Sequence, residues 1–160
     1  MQRAPMGMAA WRFGTGKGCV YCYGYDGIPG RMKIGHAKDR EAWQRIKEQM
    51  NESSPGEPLL LVVLQTDEPR RLETALHDYF DDERLRCLGQ KTEWFTITVN
   101  DIVALILWLQ KQERVVPMWF GRYARERGNG TSDKPIRINS IVELNAERRG
   151  WVLKVEGEDA

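Results

Sequence analysis

The chain has 160 residues, 41% of them apolar and 29% charged, a balance that fits one soluble globular domain with a real core. A formal net charge of +1 excludes general electrostatic attraction to a polyanion, so any contact with nucleic acid must rest on local charge. Ile102–Leu109, the longest strongly apolar run in a predicted helix, is too short to cross a bilayer, and no basic segment leading into an apolar one opens the chain. The expectation is a cytoplasmic protein without membrane contact.

Residues 1–17 mix Met, Gly and Ala with Arg3, Arg12 and Lys17 and are expected to form a loose N-terminal arm. Gly18–Tyr25 reads as a strand, with Tyr21, Tyr23 and Tyr25 at period 2. Asp26–Gly30 supplies a turn, and Arg31–His36 is the antiparallel partner. Asp39 is placed to cap a helix running to about Asn51, with Ala42, Trp43, Ile46 and Met50 on one face.

After the break at Ser53–Pro58, the uninterrupted apolar run Leu59–Gln65 suits a central strand covered on both faces. A second helix starts at Thr66 or Asp67 with Pro69 in its first turn. Leu72, Ala75, Leu76, Tyr79 and Phe80 follow helical spacing along it. Thr92–Thr98 is a short strand, and Asp101–Arg114 a third helix apolar on most sides, which offers a homodimer contact through residues 101–114. Beyond Pro117 the chain turns basic and aromatic, then passes through a Gly/Asn/Ser linker. Ile136–Leu144 and Trp151–Glu156 read as a hairpin.

These elements predict an α+β domain over 18–115, built on a small, mainly antiparallel, three-stranded sheet flanked by helices, with a C-terminal extension over 116–160. Cys19, Cys22 and Cys87 argue against a disulfide framework. The spacing of Cys19 and Cys22 suggests zinc, but strand alternation sends the two thiols to opposite faces.

Tyr21, Lys33 and His36 lie on opposite arms of one hairpin and can be spatial neighbours. Arg45 edges the apolar stripe of the first helix. Glu73 and His77 are one turn apart on the second helix and share a face at the boundary of its stripe. Phosphodiester hydrolysis needs a base for water, a cation on the phosphate and stabilisation of the leaving oxygen, and this set contains all three kinds of group.

The order Cys19-Val20-Tyr21, Lys33-Ile34-Gly35, Arg45 and Glu73 resembles the GIY-YIG endonuclease superfamily, above all the small viral and bacterial branch in which KIG stands for YIG. Pro58–Val62, Arg71–His77 and Glu93-Trp94-Phe95 are similar to later blocks of that branch, so the resemblance covers about residues 18–98. It implies a metal-dependent endonuclease acting on DNA with a single divalent ion, Mg²⁺ or Mn²⁺. By the same resemblance Tyr21 aligns or activates the attacking water, Arg45 contacts the scissile phosphate and Glu73 is the metal ligand. Lys33 replaces the second tyrosine, and with His36 three residues on it matches restriction-type members. His36 is then the general base and Lys33 a phosphate contact. The interval from Gly35 to Arg45 is about two residues longer than usual, with Arg40 as a fallback, and the late asparagine of the family has no counterpart. His77 and Glu93 are supporting candidates. Arg122, Arg125 and Arg127 are candidates for nucleic-acid contact. The alternative reading is a non-catalytic module on the same fold that binds nucleic acid or protein.

Overall fold

The computed structural model describes residues 11–38, 41–110, 130–132 and 134–148. Among them are seven strands in one sheet: β1 (Trp11–Gly14), β2 (Gly18–Tyr25), β3 (Ile28–Ala37), β4 (Pro58–Thr66), β5 (Arg84–Cys87), β6 (Gln90–Phe95) and β7 (Gly130–Ser132). Four α-helices accompany them: α1 (Ala42–Gln49), α2 (Pro69–Tyr79), α3 (Val99–Leu109) and α4 (Ile138–Arg148). The α+β class holds, but the sheet is larger than the three strands expected. Its order is β5-β6-β3-β2-β4-β1-β7. Pairing is antiparallel from β5 to β4 and parallel where β1 joins β4 and β7.

β2 lies at the centre and is buried along almost its whole length. Its alternation separates two cores. Val20 and Cys22 join Ile34, Leu72, Leu76 and Ile102 on the side of α2 and α3. Cys19, Tyr21 and Tyr23 join Ala42, Ile46 and Val63 on the side of α1. The two cysteines therefore face opposite ways, as strand alternation requires, and no zinc pair forms from them.

Several sequence readings need correction. Part of the expected N-terminal arm is β1, whose Trp11 and Phe13 are buried and stacked at 5.7 Å. The expected strand Ile136–Leu144 is instead covered by helix α4, so the C-terminal extension is not a hairpin there. Ile138, Ile141 and Asn145 follow helical spacing and are buried. Asn145 Nδ2 donates to Ala75 O at 3.1 Å, and Arg148 lies over the Tyr79 ring at 4.7 Å, so α4 docks on α2 as part of the same body. The first helix begins at Ala42, with Glu41 rather than Asp39 preceding it.

The helix expected over 101–114 starts earlier, where Thr98 and Asp101 form a reciprocal capping box. Ile102, Val103, Ile106 and Leu109 of α3 are buried within the chain, while Trp108 is 61% exposed. Asp39, Arg40, Trp151–Glu156 and the arginines at 122, 125 and 127 lie outside the described residues. No helix among those described is long and apolar enough to cross a membrane.

Leu64 on β4 is fully buried between β2 and β1, whereas Val142 on α4 is 41% exposed. Leu64→Ala should lower unfolding free energy by about 2–5 kcal/mol in urea titrations, and Val142→Ala should stay within about 0.5 kcal/mol of the parent.

Candidate active site

The β2–β3 register positions the site. Tyr21 stands opposite Gly35, Val20 opposite His36 and Tyr23 opposite Lys33. A β-carbon on Gly35 would lie 2.6 Å from the Tyr21 hydroxyl oxygen. The absence of a side chain there is what lets the phenol lie flat across β3.

On the α1 side, Gln49 gathers three of the hairpin's polar groups. Its Oε1 accepts from Lys33 Nζ at 3.0 Å and from the Tyr23 hydroxyl at 3.1 Å, and its Nε2 donates to the Tyr21 hydroxyl at 3.0 Å. An ammonium can only donate, so Lys33 fixes which end of the amide is oxygen. Lys33 also meets Glu93 at 3.5 Å. The rings of Tyr21, Tyr23, Tyr25 and Trp94 form a continuous aromatic row beside this network.

Tyr21 is 1% exposed. Burial pushes its phenol up to about 12, against opposing contributions from the Gln49 hydrogen bond and the Arg45 guanidinium, while Glu93 and Glu73 push the same way as burial. Tyr21 therefore keeps its proton near neutrality, and Gln49 occupies a lone pair of its oxygen. Burial, then neighbouring Tyr25, also raises the Tyr23 phenol. Arg45 is half exposed on α1, one turn before Gln49, and pairs with Glu48 at 3.3 Å.

His36 turns to the opposite face. Its Nδ1 lies 2.8 Å from Glu73 Oε2, with the imidazole one-third exposed and the carboxylate nearly buried. A carboxylate can only accept, so Nδ1–H is the donor of this pair. One turn on, His77 Nε2 lies 2.9 Å from Ile34 O, and Arg84 Nη2 approaches His77 Nδ1 at 3.3 Å. A guanidinium at Nδ1 makes that nitrogen the acceptor, so Nε2–H donates to the carbonyl and His77 is neutral. β6 pairs with β3 only at Met32 and Lys33. His77 takes the next carbonyl and so ties α2, and with it Glu73, to the end of that ladder.

The five residues picked from sequence thus form two groups rather than one wall. Tyr21, Lys33 and Arg45 lie towards α1, with His36 and Glu73 towards α2. Between the two groups lies the stretch of β3 beyond Lys33, which β6 does not pair. Glu93 adjoins Lys33, and His77 is a positioning residue. Gln49 was missed by sequence reasoning. Its only signal is the four-residue step from Arg45, which shares its helix face.

The T5orf172 domain family matches residues 18–110, more than half of the chain. No curated protein and no solved structure matches it.

Gly35→Ala should displace the Tyr21 ring, lower stability by about 1–3 kcal/mol and change the tyrosine near-ultraviolet dichroism. In alkaline titration followed by phenolate absorbance, Tyr21 and Tyr23 should ionise above the ordinary phenol range. Their folded values lie above the unfolded phenol value of about 10. The stability they lend is complete below that pH and falls as pH rises through the folded values.

Proposed function

The chain belongs to the T5orf172 domain family, a nuclease-related group, and on that premise we propose that its cleft hydrolyses DNA phosphodiester bonds. The observation that carries this reading is the His36–Glu73 pair at 2.8 Å, on the face of the sheet opposite the Tyr21–Gln49–Lys33 network. The motif order that resembles GIY-YIG endonucleases supports it.

Glu73 holds the imidazole of His36 in the tautomer whose Nε2 is free to accept a proton, the arrangement general-base catalysis requires. The oxygen of a water molecule forms a bond to phosphorus as its proton passes to Nε2. The bond from phosphorus to a sugar oxygen breaks, and that oxygen takes a proton from solvent. Tyr21, protonated at neutral pH, donates to a phosphate oxygen or aligns the water. Lys33 and Arg45 offset the charge that builds on the phosphate. The exposed pairing of Arg45 with Glu48 is worth little, so a phosphate can displace it.

Glu73 is also the residue that would hold Mg²⁺ or Mn²⁺. Its Oε2 faces His36, and Oε1 has no hydrogen-bond partner among the described residues. A lone carboxylate completed by water and phosphate oxygens suits magnesium, and the donor set fits on that ground. When bound, the ion supplies Lewis-acid stabilisation of the leaving oxygen. Arg122, Arg125 and Arg127, outside the described residues, are proposed as further contacts to the DNA backbone by their charge alone.

A second reading, a non-catalytic module that binds nucleic acid or protein, draws on the internal engagement of the cations: Lys33 with Gln49 and Glu93, Arg45 with Glu48. Titration with Mn²⁺ separates the two, because a binding module has no need of an ion at Glu73.

With Mg²⁺ or Mn²⁺ present, the protein should convert supercoiled plasmid to nicked or linear forms. His36→Ala should slow this by about 10²–10⁴-fold. Glu73→Ala should abolish it while the circular dichroism spectrum stays that of the parent. Equal cutting by the Glu73 variant would assign the activity to a contaminant and sink the reading.

A further inference from the structure

The β5–β6 hairpin concentrates features that cost stability where they stand. Its two-residue turn is Leu88-Gly89, with φ of +52° and +80°. Positive φ at both positions marks a type I′ turn, for which Asn-Gly is the favoured sequence. Leucine has no polar side chain to support the left-handed conformation. It is also 98% exposed, the most exposed large hydrophobic residue among those described. Behind the turn, Arg86 stands directly opposite Lys91 in the ladder, a like-charge pair that weakens a two-stranded ribbon. Lys91 finds Asp81 at 3.0 Å, but Arg86 has no ion-pair partner among the described residues. Backbone strain and unfavourable exposure gathered at one place point towards function rather than stability.

The surroundings of the hairpin indicate what it meets. Arg86 shares a groove with Arg31, Lys33, Tyr25 and Trp94. Tyr25 and Trp94 stack there at 5.5 Å, with their planes 18° apart. Lys33 and Gln49 line this groove too, so it joins the hairpin to the Gln49 network. Cations lining an aromatic-floored channel complement a polyanion that carries flat bases.

We propose that the β5–β6 hairpin is a wedge that opens duplex DNA: Arg31 and Arg86 hold the backbone in the groove, and Leu88 inserts between stacked bases. The proposal rests on the nuclease reading and names its substrate as a duplex kinked beside the cleft. A two-residue turn makes a stiff tip, a two-stranded ribbon fits the groove of a duplex, and an apolar side chain at such a tip unstacks a base step.

The test uses the full chain in EDTA, so that no strand is cut, with a linear duplex of natural sequence. Unstacked thymines are mapped by permanganate oxidation. The parent protein should create protein-dependent hyperreactive thymines. Leu88→Asn, which suits the left-handed turn, should melt no lower than the parent yet lose the hyperreactivity. Arg86→Ala should reduce the slope of log Kd against log salt by about 1. The proposal is overturned by hyperreactivity that survives Leu88→Asn, by a gel-shifted parent complex without it, by an unchanged salt slope in Arg86→Ala, or by failure of the parent to bind the duplex. A chain that unstacks DNA in EDTA but never cuts it in Mg²⁺ would remove the nuclease reading and leave the wedge standing. Cutting without unstacking would do the reverse.

Discussion

Everything in the cleft follows from one cross-strand pairing, Tyr21 against Gly35. A shift of one residue between β2 and β3 would send every side chain of the pair to the other face. Tyr21 would then meet a side-chain-bearing neighbour, and His36 would leave α2. The register is held from both sides of β2. Val20 and Cys22 are buried against α2 and α3, while Cys19, Tyr21 and Tyr23 are buried against α1. Slippage would thus expose one hydrophobic set and force the other into occupied space. The glycine of the Lys33-Ile34-Gly35 motif is needed for close approach and not for backbone freedom, since a β-carbon there collides with the phenol.

That register distributes proton donors and acceptors unequally about the edge of β3. On one side Lys33 fixes the amide of Gln49, which spends an oxygen lone pair of Tyr21 and leaves the phenol a donor. Burial reinforces this by holding the proton on. On the other side Glu73 accepts from Nδ1–H of His36. The proposed hydrolysis would draw on both sides, a donor for the phosphate and a base for the water. The second helix can hold Glu73 in place because His77, neutral and bonded at both ring nitrogens, fastens it to Ile34 O.

What was legible in the sequence is what periodicity encodes. The alternating tyrosines gave β2 with its boundaries, and the helical spacing of Leu72, Ala75 and Leu76 gave α2. The unbroken apolar run around Val62 gave a strand beside the centre of the sheet. β1 was hidden because four residues are too few for a period, and its parallel pairing with β4 spans some fifty positions of chain. β5 was hidden because its turn is Leu88-Gly89 in place of a recognisable Asn-Gly. Ile138, Ile141 and Val142 carry strong strand propensity, and the buried position that completes the helical stripe is a polar residue, Asn145. Tertiary docking on α2 overrode the local preference. In the site, charged and phenolic residues announced themselves, whereas Gln49 carries neither charge nor any chemistry of its own and is visible only through its partners.

The division of the site between two faces of the sheet also explains why the edge of β3 is left open. A β6 that continued its pairing past Lys33 would cover Ile34 and Gly35 and screen Tyr21 from His36 and Glu73. Ending the ladder there exposes backbone carbonyls that need partners. His77 satisfies one of them from α2, which closes the gap in hydrogen bonding without closing the gap in space. Glu93, the residue that would have come next in the ladder, pairs with Lys33 instead. The same truncation frees β5 and β6 to project beyond the sheet as a hairpin, with the Arg86 groove alongside. Shortening one pairing by two residues thus gives the two faces a common edge.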